Sequence, residues 1–234
     1  MSNKPPINPN KVVVFSGAGI SAESGLNTFR DANGLWENYP VELVATSKGW
    51  QQDPGLVLDF YNKLRQQSNH AQPNQAHYAI ADLEKTFDVV VITQNIDDLH
   101  ERAGSSVVIH LHGELNKARS SLDNDLIYNI EEKPIHLGQK CELNSQLRPH
   151  VVWFGETPLH MEKARKHFLD AAYVLVVGTS LVVEPAAGLL KKARYKAQKI
   201  IVTLDIDKIP YGYKLLRGRA SSLVPAVCEQ WRRG

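Results

Sequence analysis

Four short stretches hold residue types that could do chemistry, and each follows an apolar run. In the first, Val12-Val13-Val14-Phe15-Ser16 leads into Gly17-Ala18-Gly19-Ile20-Ser21-Ala22-Glu23-Ser24-Gly25. A β-branched run suits a strand covered on both faces, and glycines let backbone N–H groups approach phosphate oxygens at the N-terminus of a following helix, which is how a chain grips a dinucleotide pyrophosphate. Gly17 and Gly19 open that fingerprint, but Ala22 stands where its third glycine belongs. A tight strand-to-helix turn without a ligand accounts for the same residues. The second stretch, Thr93-Gln94-Asn95-Ile96-Asp97-Asp98-Leu99-His100, supplies amide and carboxylate groups at a strand end, although Asn95 alone suits helix capping equally well. The third is His110-Leu111-His112-Gly113-Glu114-Leu115. An imidazole with an ordinary pKa near ~6.5 makes His112 able to take a hydroxyl proton at neutral pH; a lone histidine in such a place is more often structural. His110 is expected to face away from it. The fourth, Gly178-Thr179-Ser180, presents small groups to a ligand.

These residues act together only if strands deliver them to one edge. Strands are predicted at 12–16, 88–93, 107–111, 173–177 and 200–204, with helical patterns at 74–86, 95–103, 161–171 and 185–197 and a closing helix at 222–232. That alternation predicts an α/β fold, a doubly wound Rossmann-like parallel sheet whose ligands collect at the carboxyl ends of the strands. Two stretches break the alternation. Residues 37–72 are mostly helical, with Leu56, Val57, Phe60, Tyr61 and Leu64 at the spacing of one helix face; residues 116–147 are polar and turn-rich. The expected division is a nucleotide-binding domain of 1–36, 73–115 and 149–234, with a small inserted domain of 37–72 and 116–148.

Composition narrows the function classes. With 27 basic against 25 acidic residues in 234, nothing electrostatic calls for nucleic acid or an anionic membrane. The basic cluster at 191–199 reads as a solvated helix face. No apolar run reaches the roughly 18 residues of a membrane span, and the polar start lacks the apolar core of a signal peptide. Cys141 and Cys228 cannot make a disulfide framework. A cytoplasmic protein, monomeric or weakly oligomeric, is expected.

In this order and spacing, the four motifs together with Arg148-Pro149-His150-Val151-Val152-Trp153-Phe154-Gly155-Glu156 make the chain resemble a sirtuin, an NAD-dependent protein deacylase, nearest to the bacterial branch. The resemblance implies an enzyme that consumes NAD and acts on acylated lysine in proteins or peptides. The acyl carbonyl oxygen attacks the ribose carbon bearing nicotinamide, and His112 then activates a ribose hydroxyl that attacks the resulting imidate. Lysine, nicotinamide and O-acyl-ADP-ribose are the products. Breaking the nicotinamide–ribose bond develops positive charge on the sugar, so such a site needs oriented polar groups and exclusion of water.

The resemblance assigns catalysis to His112 and Asn95, Asn95 also positioning NAD and water. Gln94 contacts ribose, Ile96 adjoins it, and Asp97 engages the nicotinamide end. Gly17, Ala18, Gly19, Ser21, Gly178, Thr179 and Ser180 face phosphate and ribose. Thr28, Phe29, Arg30 and Trp36 form a cofactor loop in which Phe29 shields the reactive sugar, though Phe29 suits ordinary core equally. Asp205 stands where close relatives carry asparagine; with Asp207 it can accept ribose hydroxyl hydrogen bonds and repel the extra phosphate of NADP. Ala220 lies near adenine. The peptide adds itself as a strand along Val152, Phe154, Gly155 and Glu156, its acyl group reaching Tyr61 and Leu64. An ADP-ribosyltransferase or NAD hydrolase on the same fold, or a silent NAD-binding module, is the alternative. His112 and the 148–156 segment disfavour each of these.

Two departures from the family are visible. Sirtuins carry a zinc ribbon with four cysteines in two Cys-x-x-Cys pairs, but here Ser120 and Asp123 stand at the first pair and only Cys141 remains of the second, with His136 nearby. Structural zinc wants four Cys or His ligands, so no zinc is expected, and Leu122, Leu126, Ile127, Tyr128, Ile130, Ile135 and Leu137 are expected to form an apolar cluster instead. Sirtuins that remove succinyl or malonyl groups carry a tyrosine and, three residues on, an arginine that holds the distal carboxylate. Here Tyr61 is followed by Leu64, and Arg65 lies one residue later, rotated by about 100°. A neutral pocket preferring acetyl and longer neutral acyl groups is expected, unless the long Arg65 side chain substitutes.

Overall fold

A computed structural model describes residues 5–26 and 39–234. The chain runs β1 (Asn8–Ser16), α1 (Val41–Val44), α2 (Ser47–Gln52), α3 (Pro54–His70), α4 (Gln75–Asp82), β2 (Asp88–Thr93), α5 (Leu99–Arg102), β3 (Val108–His110), β4 (Gly113–Ser120), β5 (Ile127–Asn129), β6 (Leu147–Val151), α6 (Met161–Asp170), β7 (Ala171–Val177), β8 (Gln198–Thr203), β9 (Lys214–Arg217) and α7 (Ala220–Arg233). Six strands form a parallel sheet in the order β3-β2-β1-β7-β8-β9. Val12 and Val14 face a core shared with Ile80 of α4 and Val224 and Trp231 of α7. Val13 and Phe15 face another, closed by Phe168 of α6 and Leu189. Burial on both faces is why β1 reads as an unbroken apolar run, and the result is the doubly wound Rossmann-like architecture.

Strand order reverses on either side of β1, so the turns after β1 and β7 leave the sheet as neighbours. Ser16 pairs in register with Thr93 and with Val177, and Thr93 with His110. The residues that follow, Gly17, Gln94, Gly178 and the 111–112 turn, therefore emerge side by side at the carboxyl edge, where such sheets bind ligands.

A second, antiparallel sheet has the order β5-β4-β6. Asp53 caps α3 by accepting from Leu56 N at 2.9 Å, with Pro54 in the first turn. From α3, Val57, Phe60 and Tyr61 pack with Leu115, Val151 and Trp153, while Leu58 joins Ala118, Ile135 and Leu147.

Several local expectations need correction. Gly17 leads into two short 3-10 turns, Ala18–Ile20 and Ala22–Ser24, rather than directly into an α-helix. The 185–197 stretch forms a 3-10 segment, Ala186–Lys192, with Gly188, a poor helix former, at its centre. Strand β9 carried too short an apolar signal to be predicted. Of the seven residues expected to replace zinc with an apolar cluster, only Ile135 is fully buried, Tyr128 and Ile130 join it in part, and Leu122, Ile127 and Leu137 are exposed. A three-stranded sheet with one covered face has room for only a few of them.

Candidate functional site

The glycine turns are locked to each other. Gly17 N donates to Val177 O at 3.0 Å and Gly19 N to Gly178 O at 2.8 Å. A Cβ at Gly19 would lie 2.9 Å from the Gly178 backbone, and one at Gly178, where φ is +65°, would overlap the Ile20 nitrogen. Glycine is needed here for close approach of backbone to backbone, leaving a floor without side chains. Beside it Thr179 Oγ1 donates to Gln94 Oε1 at 3.1 Å and accepts from Leu181 N at 3.1 Å. Ala18 is exposed, and Ser180 is half-buried at the same rim.

Under that floor lies a polar knot. Ser21, buried, donates from Oγ to Asp97 Oδ2 at 3.1 Å and accepts from Asn95 Nδ2 at 3.1 Å. The Asn95 N–H donates to Thr93 Oγ1 at 3.0 Å, while its Oδ1 is buried with no partner in the protein. Burial pushes the Asp97 carboxyl up to about 6, against hydrogen bonds from Leu99 N and Ser21. Ile96 is half-buried and its carbonyl accepts from Leu115 N at 2.8 Å, which ties the loop to β4.

His112 reaches the same loop. Its Nδ1 lies 3.1 Å from Gln94 O. A carbonyl only accepts, so Nδ1 carries the proton and Nε2 keeps its lone pair. Burial holds the His112 pKa below the ordinary value despite the Gln94 carbonyl, so the ring is neutral at pH 7. Contrary to expectation, His110 does not face away from His112: its Nδ1 lies 2.9 Å from the next carbonyl, Asn95 O. Residues two apart on a strand share a face.

The outer candidates are more dispersed. Asp205 and Asp207 are exposed beyond β8. Ala220 is buried as the first residue of α7, whose N-terminus is capped by Glu23: Ser221 N donates to Glu23 Oε1 at 3.0 Å. Thr28, Phe29, Arg30 and Trp36 lie outside the described residues.

On the small-sheet side, Val152 N donates to His112 O and Phe154 N to Ala45 O, both at 2.9 Å. Gly155 has φ +91° with open space where a side chain would stand. The Glu156 side chain turns inward, pairing with Arg148 at 2.9 Å and Arg119 at 3.1 Å and accepting from Trp153 N at 2.9 Å. Burial alone would raise its pKa, but these partners hold it below the usual carboxylate value. Arg148 also stacks 3.3 Å from the Trp153 ring centroid. Sequence reading missed this Arg119–Arg148–Glu156 group, whose members lie up to 37 residues apart. Tyr61 is buried against Phe60, and Leu64 is half-buried. Arg65, 1 % exposed, does not reach toward Tyr61's neighbours as a free cation: its Nε donates to Leu115 O at 2.6 Å and its Nη1 to Asn62 Oδ1 at 2.7 Å.

The positions expected for zinc fit a hydrogen-bonded cluster better than a metal. Ser120 Oγ and Ser145 Oγ are 2.7 Å apart, Cys141 Sγ is 3.1 Å from Ser145 Oγ, and Ser120 Oγ accepts from Leu122 N and Asp123 N at 3.1 and 3.0 Å. Asp123 Oδ1 accepts from Asp125 N at 2.9 Å, and His136 is exposed. Among the described residues no group of three or more His, Cys, Asp or Glu side chains could hold a metal ion. Ser145 escaped the sequence reading because serine carries no metal-ligand signal.

The family model described as "Sir2 family" matches residues 17–185. A Bacteroides thetaiotaomicron protein named NAD-dependent protein deacylase is 53% identical over 184 residues, covering 76% of this chain and 79% of that one. A Vibrio cholerae protein of the same name is 46% identical over 226 residues, covering 94% and 92%. The crystal structure of a Sir2 homolog in complex with NAD is similar at a TM-score of 0.83 and 38% identity, covering 95% of this chain and 90% of that one.

Proposed function

The chain belongs to the Sir2 family, and from that premise and the geometry we infer that it is an NAD-dependent protein-lysine deacylase. It transfers the acyl group of an acylated lysine to ADP-ribose, releasing nicotinamide and O-acyl-ADP-ribose. The carrying observation is the neutral His112, its Nδ1 proton committed to Gln94 O, beside a buried Asn95 Oδ1 without a protein partner. NAD suits this place, because the buried Asn95 Oδ1 is an acceptor without a protein partner. When bound, it supplies a sugar carbon that nicotinamide can leave.

The chain's own groups do the rest. Gly17, Ala18, Gly19 and Ser21 with Gly178, Thr179 and Ser180 hold phosphate and ribose; Gln94, Asn95, Ile96 and Asp97 hold the nicotinamide ribose and the nicotinamide. Asp205 and Asp207 take the adenosine ribose and Ala220 adjoins adenine, with Thr28, Phe29, Arg30 and Trp36 as further cofactor contacts. His112 accepts a ribose hydroxyl proton at Nε2 while Gln94 O keeps its ring oriented. The peptide lies along Val152, Phe154, Gly155 and Glu156, the last acting through its arginine pairs on the shape of that segment, and the acyl chain reaches Tyr61 and Leu64. Residues 37–72 and 116–148 form one small domain, supported by the shared α3 clusters. It needs no zinc. Among the described residues no helix is long and apolar enough to cross a membrane, and we place the protein in the cytoplasm, as a monomer or weak oligomer without nucleic-acid or membrane partners.

Loss of a general base costs about 10²–10⁴ in rate, so His112→Ala is expected to lose turnover by that factor and still bind NAD. Turnover of acetyl-lysine within a few-fold of the parent would remove His112 from this role.

A further inference from the structure

His110 is buried, and each of its ring nitrogens faces an acceptor: Nδ1 lies 2.9 Å from Asn95 O and Nε2 lies 2.8 Å from Glu101 Oε1. A neutral imidazole has one N–H and can serve only one of them. The shared proton on the Glu101 side belongs to the ring, since a carboxylate, with an ordinary pKa of about 4.3, is the weaker base. Both bonds are therefore made by an imidazolium. Its second bond fixes the carbonyl of the residue whose N–H is fixed by Thr93 and whose amide is fixed by Ser21. Asn95 is thus clamped at three points, and only Oδ1 is left for a ligand.

We propose that His110, as an imidazolium held by Glu101, is a positioning residue for the NAD end of the site, fixing Asn95. The proposal rests on the assignment of Asn95 and Asp97 to that end. Burial works against the charge on His110, but the hydrogen bond and charge of Glu101, with the Asn95 carbonyl and the more distant Glu114, outweigh it and hold its pKa above the ordinary value. From the loop side Asp97 also feels that charge, which lowers a carboxyl raised by burial. His100, from α5, is held neutral by burial, with His77 and His110 adding to the effect. Arg102 pairs with Asp98 at 3.6 Å.

Nitrogen-15 NMR of the imidazoles reads the claim directly in the parent protein: His110 should show both nitrogens protonated at pH 7, and a neutral ring there overturns it. Glu101→Gln, at a half-exposed position that tolerates the change, keeps the side-chain shape and removes the charge. Its kcat/KM for NAD should match the parent near pH 6 and fall about tenfold by pH 8.5, as a pKa lowered by one unit makes a tenfold difference in protonation. His110→Gln should lose about tenfold at all pH values, with its acid limb moved upward and KM for acetyl-peptide changed less than twofold. Parental kcat/KM and pH profile in both variants overturn the role. His112→Ala measured in parallel separates the failures. If it is active, the general-base assignment of His112 falls and with it the site reading on which the proposal rests; if it is inactive beside two silent variants, only the positioning role falls.

Discussion

At the scale of single residues, the decisive contrast is between side chains that are free to meet a ligand and side chains already committed. Arg65 is committed in part: its Nε and Nη1 are bonded to Leu115 O and Asn62 Oδ1, stitching α3 to β4, while its buried Nη2 has no partner in the protein and burial lowers its pKa to about 10. Leu64, half-buried against the Tyr61 cluster, stands where desuccinylases are expected to carry arginine, so we propose that acetyl and longer neutral chains are preferred. Turnover of succinyl-peptide is expected about tenfold or more below acetyl-peptide, with Leu64→Arg narrowing the gap through a charge-assisted bond worth about 1.5–3 kcal/mol. Arg65→Ala should cost about 1–3 kcal/mol of stability by orphaning Leu115 O, without changing the ratio. Efficient parental desuccinylation abolished by Arg65→Ala would reverse this assignment. Residue types and spacing made Gln94, Asn95, His112 and the glycines legible as a group. What they could not reveal was the partner of each group: Ser21 meets Asp97 across 76 residues of chain, and His110 was misplaced by an error of strand alternation.

At the scale of elements, the site depends on turns that hold one another and on a small sheet that holds itself. The strand pattern and its carboxyl-edge turns were readable because apolar runs buried on both faces have no other cause at that length. The small sheet was readable only by what it lacked. Three missing cysteines are visible in a sequence, but a buried serine hydroxyl such as that of Ser145 looks like any loop serine. Ser145→Ala removes the partner of both Ser120 and Cys141. It should destabilise by about 1–3 kcal/mol, the cost of leaving a buried hydroxyl unsatisfied, read as a lowered Tm. Chelator treatment should leave Tm and activity unchanged and metal analysis should find no stoichiometric zinc. A bound zinc whose removal unfolds the chain would show that the cluster is not what holds this sheet.

At the scale of the whole molecule, histidine burial ties stability to pH. His77 and His150 are held down to about 4 by burial, and His100 well below the ordinary value for the same reason, with His77 and His110 adding to it. Groups with depressed folded pKa values stabilise fully above the unfolded value near ~6.5 and lose that contribution as pH falls through the folded value. His110, raised, has the opposite sign: it stabilises fully below ~6.5 and loses that contribution as pH rises through its folded pKa. His112 and His167 are lowered as well, while Asp97, raised to about 6, acts with His110 in the opposite sense. Five lowered histidines against these two raised groups leave the balance with acid lability, up to about 1.4 kcal/mol per pH unit for each net proton. Tm should fall steadily from about pH 6.5 to about pH 4, the window these shifts define, and a flat Tm across that range would mean these histidines are not buried neutral. The doubly wound class was legible, since alternating strands and helices leave few topologies open, but the edge strand β9 was not. Chemistry at its switch point is tested most directly by incubating the protein with NAD and an acetyl-lysine peptide and quantifying all products. Nicotinamide, free lysine peptide and O-acetyl-ADP-ribose are expected in equal amounts. Nicotinamide released with ADP-ribose alone, or ADP-ribose attached to protein while the peptide stays acetylated, would contradict deacylation and point to the hydrolase or transferase instead.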